Sequence, residues 1–96
     1  MTAYAIAQLR IHDPARFDRY VAGFMPVLTQ YGGRLLATDG QPEVMEGQWS
    51  GDRFVILAFD DPDAVRTWAG SPEYRAIVQD RWAAADTILL LVRGAD

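Results

Sequence analysis

Phe54-Val55-Ile56-Leu57-Ala58-Phe59-Asp60-Asp61-Pro62 decides the fold: six apolar residues in a row, then two aspartates, the second followed at once by a proline. The run is too short for a helix. It sets Phe54, Ile56 and Ala58 against Val55, Leu57 and Phe59, which describes a strand covered on both faces. Asp61 can accept from the free amide groups of a helix start, and Pro62 suits the first helical position, where its missing N–H costs nothing. The same pair, Asp13-Pro14, stands half a chain length earlier, again just after a strand-like stretch.

That earlier stretch, Ala3 to Ile11, alternates Ala3, Ala5, Ala7, Leu9 and Ile11 with Tyr4, Ile6, Gln8 and Arg10, the period of a strand. After Asp13-Pro14, the residues Phe17, Tyr20, Val21, Phe24, Leu28 and Tyr31 recur at helical spacing on one apolar stripe. Gly32-Gly33 offers the left-handed residue that ends such a helix. Pro26 lies inside it, at a cost of about 3 kcal/mol, and predicts a kink or break near Ala22 to Gly23. Arg34 to Thr38 reads as a short second strand and Asp39-Gly40 as a turn. Glu43 to Trp49 reads as a further extended piece, prolonging the strand or forming a hairpin arm, before the turn Ser50-Gly51-Asp52.

Beyond Pro62, a short helix carries Val65, Trp68 and Ala69 and stops at Gly70. Ser71-Pro72 opens another, whose inward stripe is Tyr74, Ile77, Val78, Arg81, Trp82 and Ala85. Thr87 to Val92 closes the chain as a strand apolar on both faces, and Gly94 ends the ordered part. The order β-α-β-β-α-β is the split βαβ arrangement: an α+β, ferredoxin-like domain over residues 1–96, with an antiparallel sheet and the helices on one face. The last two strands have no polar face for water. Each exposed Leu, Val or Phe would forgo about 1.5–3 kcal/mol of burial, so two copies are expected to pair sheet to sheet as a homodimer.

Composition narrows the function classes. In 96 residues, half are apolar and 23% charged, which suits one small core whose margin benefits from association. There is no cysteine, so thiolate nucleophiles, thiolate metal sites and disulfides are out of reach, consistent with a reducing cytoplasm. No apolar run approaches a membrane span, and the N-terminus carries no basic leader, so neither membrane nor secretion is expected. A net charge of −4 with scattered arginines argues against nucleic acid as a partner.

Asp13-Pro14 with Tyr20 further on, Tyr31-Gly32-Gly33-Arg34, Glu46-Gly47, Ser71-Pro72-Glu73-Tyr74, Arg81, Ala85-Asp86 and Leu91 to Gly94 stand in a fairly specific order and spacing. On these pieces, nearly the whole chain resembles the domain-of-unknown-function family numbered 1330. The resemblance implies a dimeric α/β barrel, two ferredoxin-like sheets packed face to face. That architecture is related to cofactor-free monooxygenases, muconolactone isomerases and haem-degrading enzymes. It implies no particular reaction. Arg93 stands where members commonly carry a carboxylate, so no role of that acid transfers.

Arg81 is the most informative single residue, because it falls on the stripe that faces the sheet, seven after Tyr74 and four after Ile77. A buried unpaired charge costs several kcal/mol, so it must meet an acid, water or an anionic ligand. Its donors suit a carboxylate or enolate oxygen, and it can stabilise negative charge but not act as a base. The structural alternative is a snorkelling stem or a pair with Glu46. Glu46, in the apolar-flanked stretch Val44-Met45-Glu46-Gly47, is the acid or base candidate, if desolvation raises its pKa. His12, the one histidine, lies at a strand end beside a helix cap, where a surface or capping role competes with catalysis. Tyr20, Trp68, Tyr74 and Trp82 are candidates for a flat aromatic ligand pocket, or plain core.

No metal-ligand spacing, phosphate loop or serine nucleophile motif is present, so no cofactor is expected. Two readings follow. One is a small-molecule site lined by Tyr20, Glu46, Tyr74 and Arg81, binding or transforming an acidic or enolisable compound without a metal, in the manner of a monooxygenase or isomerase. The other is a non-catalytic dimeric binding or regulatory module, in which the polar residues only satisfy one another.

Overall fold

The computed structural model describes all 96 residues. Strand β1 (Ala3–Ile11) leads into helix α1 (Pro14–Gln30), then β2 (Arg34–Asp39), β3 (Arg53–Phe59), α2 (Pro62–Ala69), α3 (Pro72–Ala84) and β4 (Ala85–Arg93). The four strands form one sheet in the order β2-β3-β1-β4, each neighbour antiparallel. This is the α+β, ferredoxin-like topology expected from the sequence.

The helix starts form where their caps predict. A side-chain oxygen of Asp13 accepts from the Arg16 amide (3.2 Å), Asp61 from Ala64 (2.8 Å) and Ser71 from Tyr74 (3.1 Å), each followed by proline at the first helical position. Such a cap is typically worth about 1 kcal/mol. α1 ends in a Schellman motif: Gly32 takes φ 76° and donates to the Thr29 carbonyl, while Gly33 donates to Leu28 (2.9 Å). The break expected at Pro26 does not occur, and α1 runs unbroken through it. Ala22 and Pro26 both face solvent, so water can take the carbonyl that the proline leaves without a donor.

Register sorts the two faces. Ala3, Ala5, Ala7 and Leu9 lie opposite Phe59, Leu57, Val55 and Arg53, and all point to the helix side. There Phe59, Trp68, Leu28 and Val78 are almost fully buried. The small alanines of β1 give the large rings room to approach the sheet. The other face carries Tyr4, Ile6, Phe54, Ile56, Ile88, Leu90 and Val92 with no layer over it. Ile88, Leu90 and Val92 are 57%, 46% and 40% exposed.

Two local expectations are corrected. Glu43 to Trp49 forms neither strand nor hairpin arm but an irregular loop without ladder partners. Pro42 has no N–H to donate, and Gly47 turns the chain at φ 86°. The loop is instead anchored at its end, where the Trp49 indole donates to Gln8 (3.1 Å) and Arg10 donates to the Ser50 hydroxyl (2.8 Å). β4 also begins two residues earlier than expected, at Ala85. The Ala84 carbonyl accepts the His12 and Asp13 amides and turns the chain straight into the sheet.

Candidate functional site

α1 and α3 are fastened to each other at both ends. Near one end, Arg16 donates to Asp80 (2.9 Å). Near the other, Tyr31 donates to one oxygen of Glu73 (2.7 Å) and Gln30 to the second (3.0 Å). These donors hold the Glu73 carboxyl below its usual range, and the Tyr31 phenol is correspondingly raised. α1 therefore rests mainly on α3 and not on the sheet. The space beneath it is a cavity of about 590 Å³. That lies inside the roughly 300–1,000 Å³ typical of small-molecule sites.

Leu9, Val55 and Leu57 belong to its floor, Val21, Phe24 and Met25 to its α1 wall, and Trp68, Tyr74 and Arg81 reach it from α2 and α3. Four residues singled out in the sequence, Tyr20, Trp68, Tyr74 and Arg81, thus meet at one cavity. The Tyr20 and Tyr74 hydroxyls are 2.8 Å apart and hydrogen-bonded, and the Tyr74 ring lies 4.3 Å from that of Trp68. Burial, then the neighbouring Tyr74 hydroxyl, push the Tyr20 phenol far above its ordinary range, with Arg81 opposing only in part. Tyr20 is a neutral phenol and a poor base.

Arg81 sits in the last turn of α3, where the helix dipole favours a cation, and is only 7% exposed. Its guanidinium carbon lies 5.7 Å from the centre of the Tyr20 ring, a cation–π contact. No carboxylate pairs with it, and its buried Nε has no hydrogen-bond partner. Two more donors at the same cavity are in the same condition: the Trp68 indole Nε1 and Arg53 Nε. Arg53 keeps one bond, from Nη1 to the Thr38 hydroxyl (3.0 Å). The sequence reading missed Arg53, although its position two before Val55 and four before Leu57 assigns it to the helix-facing side.

The remaining candidates lie elsewhere. Glu46 is in the exposed loop and does not line the cavity, so it is not the partner of Arg81 within this chain. His12 is at the surface, 3.9 Å from the Asp86 carboxylate, with its backbone amide on Ala84. Trp82 is 60% exposed on the outer side of α3 instead of in the aromatic wall. Two carboxylates do border the cavity, Asp18 and Asp52; both are exposed, and Asp52 accepts the Ile11 amide (2.7 Å). The chemistry available inside is accordingly one-sided: apolar and aromatic walls, buried donors, and no buried carboxylate to receive a proton. No three His, Asp or Glu side chains gather where they could hold a metal ion, and no helix is long and apolar enough to cross a membrane.

Solved structures share the fold at low identity. A protein of unknown function from Rhodopseudomonas palustris superposes with a TM-score of 0.83 at 18% identity, covering 99% of this chain and 83% of its own. SnoaB, a cofactor-independent oxygenase from Streptomyces nogalater, gives 0.70 at 14%, covering 99% and 94%. A dimeric ferredoxin-like protein of unknown function from Bacteroides fragilis gives 0.71 at 12%, covering 97% and 96%. No curated protein matches. The sequence profile of a domain of unknown function, DUF1330, matches residues 2–95, and the chain belongs to that family.

Proposed function

We propose that this chain is one domain over residues 1–96, working as a homodimer in the cytoplasm, whose cavity binds a small acidic or enolisable compound and stabilises its anionic form without a metal. The observation that carries the reading is Arg81: a buried cation with no acid beside it, at a cavity large enough for a ligand. An unpaired buried charge is costly unless something outside the chain satisfies it. A ligand oxygen held there would ionise more readily, because the guanidinium favours the charged form in a water-poor site. Such an anion is the electron-rich form in which a substrate can react without help from a cofactor, and SnoaB, a cofactor-independent oxygenase, shares the fold. The homodimer is supported by the uncovered apolar face of Ile88, Leu90 and Val92 and by the dimeric state of similar proteins. A reducing compartment is consistent with the lack of cysteine.

The binding-module reading has its own support in the want of a buried carboxylate within the cavity. A thermal-shift screen of acidic aromatic and enolisable compounds tests both. Ligands that raise the Tm of wild type but not of Arg81→Met support the site. Oxygen consumption or ligand conversion then marks an enzyme, and binding without turnover a module. If no compound protects the wild type and Arg81→Met unfolds, the arginine is structural.

A further inference from the structure

Of the three unsatisfied donors at the cavity, the Trp68 indole belongs to a ring packed on Phe59, toward the Ala3 end of the sheet, and the two arginines lie at the other end. Arg53 lies opposite Leu9 in the β3–β1 ladder. Arg81 lies one turn before Ala84, whose carbonyl holds the His12 amide just beyond the end of β1. Both arginines therefore belong to the Leu9–Ile11 end of the sheet. Neither forms an ion pair, and each has a buried Nε without a partner. Apart from Thr38 and the exposed carboxylates of Asp18 and Asp52, the second of which is tied to the Ile11 amide, the rest of the lining is largely apolar, with Val21, Phe24, Met25, Leu35 and Leu57.

Resting on the reading of this cavity as a ligand site, we propose that its ligands are flat aromatic carboxylates, with the carboxylate held between Arg81 and Arg53 and the ring system against Phe24 and Leu35. Two guanidinium groups at one end match the two oxygens of a single carboxylate, each able to donate in the plane of the acid. A neutral alcohol or ketone could satisfy one of them and would leave the Nε of the other buried and unpaired. The apolar remainder and the volume suit about one to three fused rings. Arg53 is then a specificity-determining residue: Arg81 meets any anion, while Arg53 selects a two-oxygen head.

The probes are benzoate, 2-naphthoate and anthracene-2-carboxylate, each beside its neutral carboxamide, measured by calorimetry and by quenching of tryptophan fluorescence. At least one acid is expected to bind wild type ten-fold or more tightly than its amide. Arg53→Gln should weaken that acid about ten-fold and change the amide less than two-fold, and Arg53→Lys should restore part of the loss. Equal binding of acid and amide by wild type overturns the two-arginine head site while leaving the cavity a ligand site. No binding by any of the six overturns this inference, and the wider reading survives only if other compounds protect the protein thermally. Should Arg53→Gln fail to fold, the acid–amide comparison on wild type alone decides.

Discussion

Replacing Arg81 with methionine separates a side chain kept for a ligand from one kept for the fold. The side chain is 7% exposed, its Nε is buried without a partner, and no acid pairs with it. A buried polar group left unsatisfied costs about 1–3 kcal/mol, and more when charged. Against this stands the contact with the Tyr20 ring, worth about 0.5–2 kcal/mol. Methionine keeps an unbranched apolar stem in the same space and removes the charge. The ligand-free variant is therefore expected to range from about 1 kcal/mol less stable to about 2 kcal/mol more stable than wild type. Each kcal/mol corresponds to about 4–8 °C in Tm for a domain of this size. Urea and thermal unfolding followed by circular dichroism, at equal protein concentration because a dimer's Tm depends on it, read the difference. A loss of more than about 2 kcal/mol would refute the reasoning, since it would mean that Arg81 makes a stabilising contribution this geometry does not contain.

Leu90→Lys puts a charge in the middle of the uncovered face and should turn a dimer into a monomer in sedimentation at micromolar concentration; a monomeric wild type would remove the basis for the homodimer. Tyr20→Phe leaves the Tyr74 hydroxyl without its partner and should cost about 1–2 kcal/mol, whereas Tyr20→Phe with Tyr74→Phe should cost less than the sum of the two single changes. Equal additivity in denaturant titrations would show that the pair is not coupled. Tyr20 also predicts a pH dependence. Its folded pKa is raised, so its contribution is fully present below the unfolded value near 10 and declines as pH rises from there toward the folded value. Urea midpoints measured from pH 8 to 11 should fall less steeply in Tyr20→Phe than in wild type, and parallel profiles would contradict this.

Much of the fold was legible because it rests on local devices. Asp13-Pro14, Asp61-Pro62 and Ser71-Pro72 cap their helices wherever they fold, and the alternation of Ala3 to Ile11 permits little but a strand. Pro26 misled because a helix interior and a solvent-facing helix interior differ only in what lies beside them. Trp82 misled because the helical stripe of α3 was read one residue too wide, and its surface position depends on where α1 docks. Glu46 misled for a related reason: apolar neighbours in the sequence bury a carboxylate only if another element covers them, and this loop is exposed.

By itself, the amino-acid order determined the element types, their caps and sequence, the antiparallel α+β topology and the oddness of an arginine on an inward stripe. These follow from short-range sterics, hydrogen bonding and periodicity, which act within a few residues. Only the tertiary structure decided that α1 leans on α3, through Arg16–Asp80 and Tyr31–Glu73, and so leaves a cavity above the sheet. It likewise decided that Arg81 has no acid for company and that Arg53, more than two dozen residues away in sequence, borders the same space. Which charges meet across such separations depends on how the layers pack, and no local pattern carries that information.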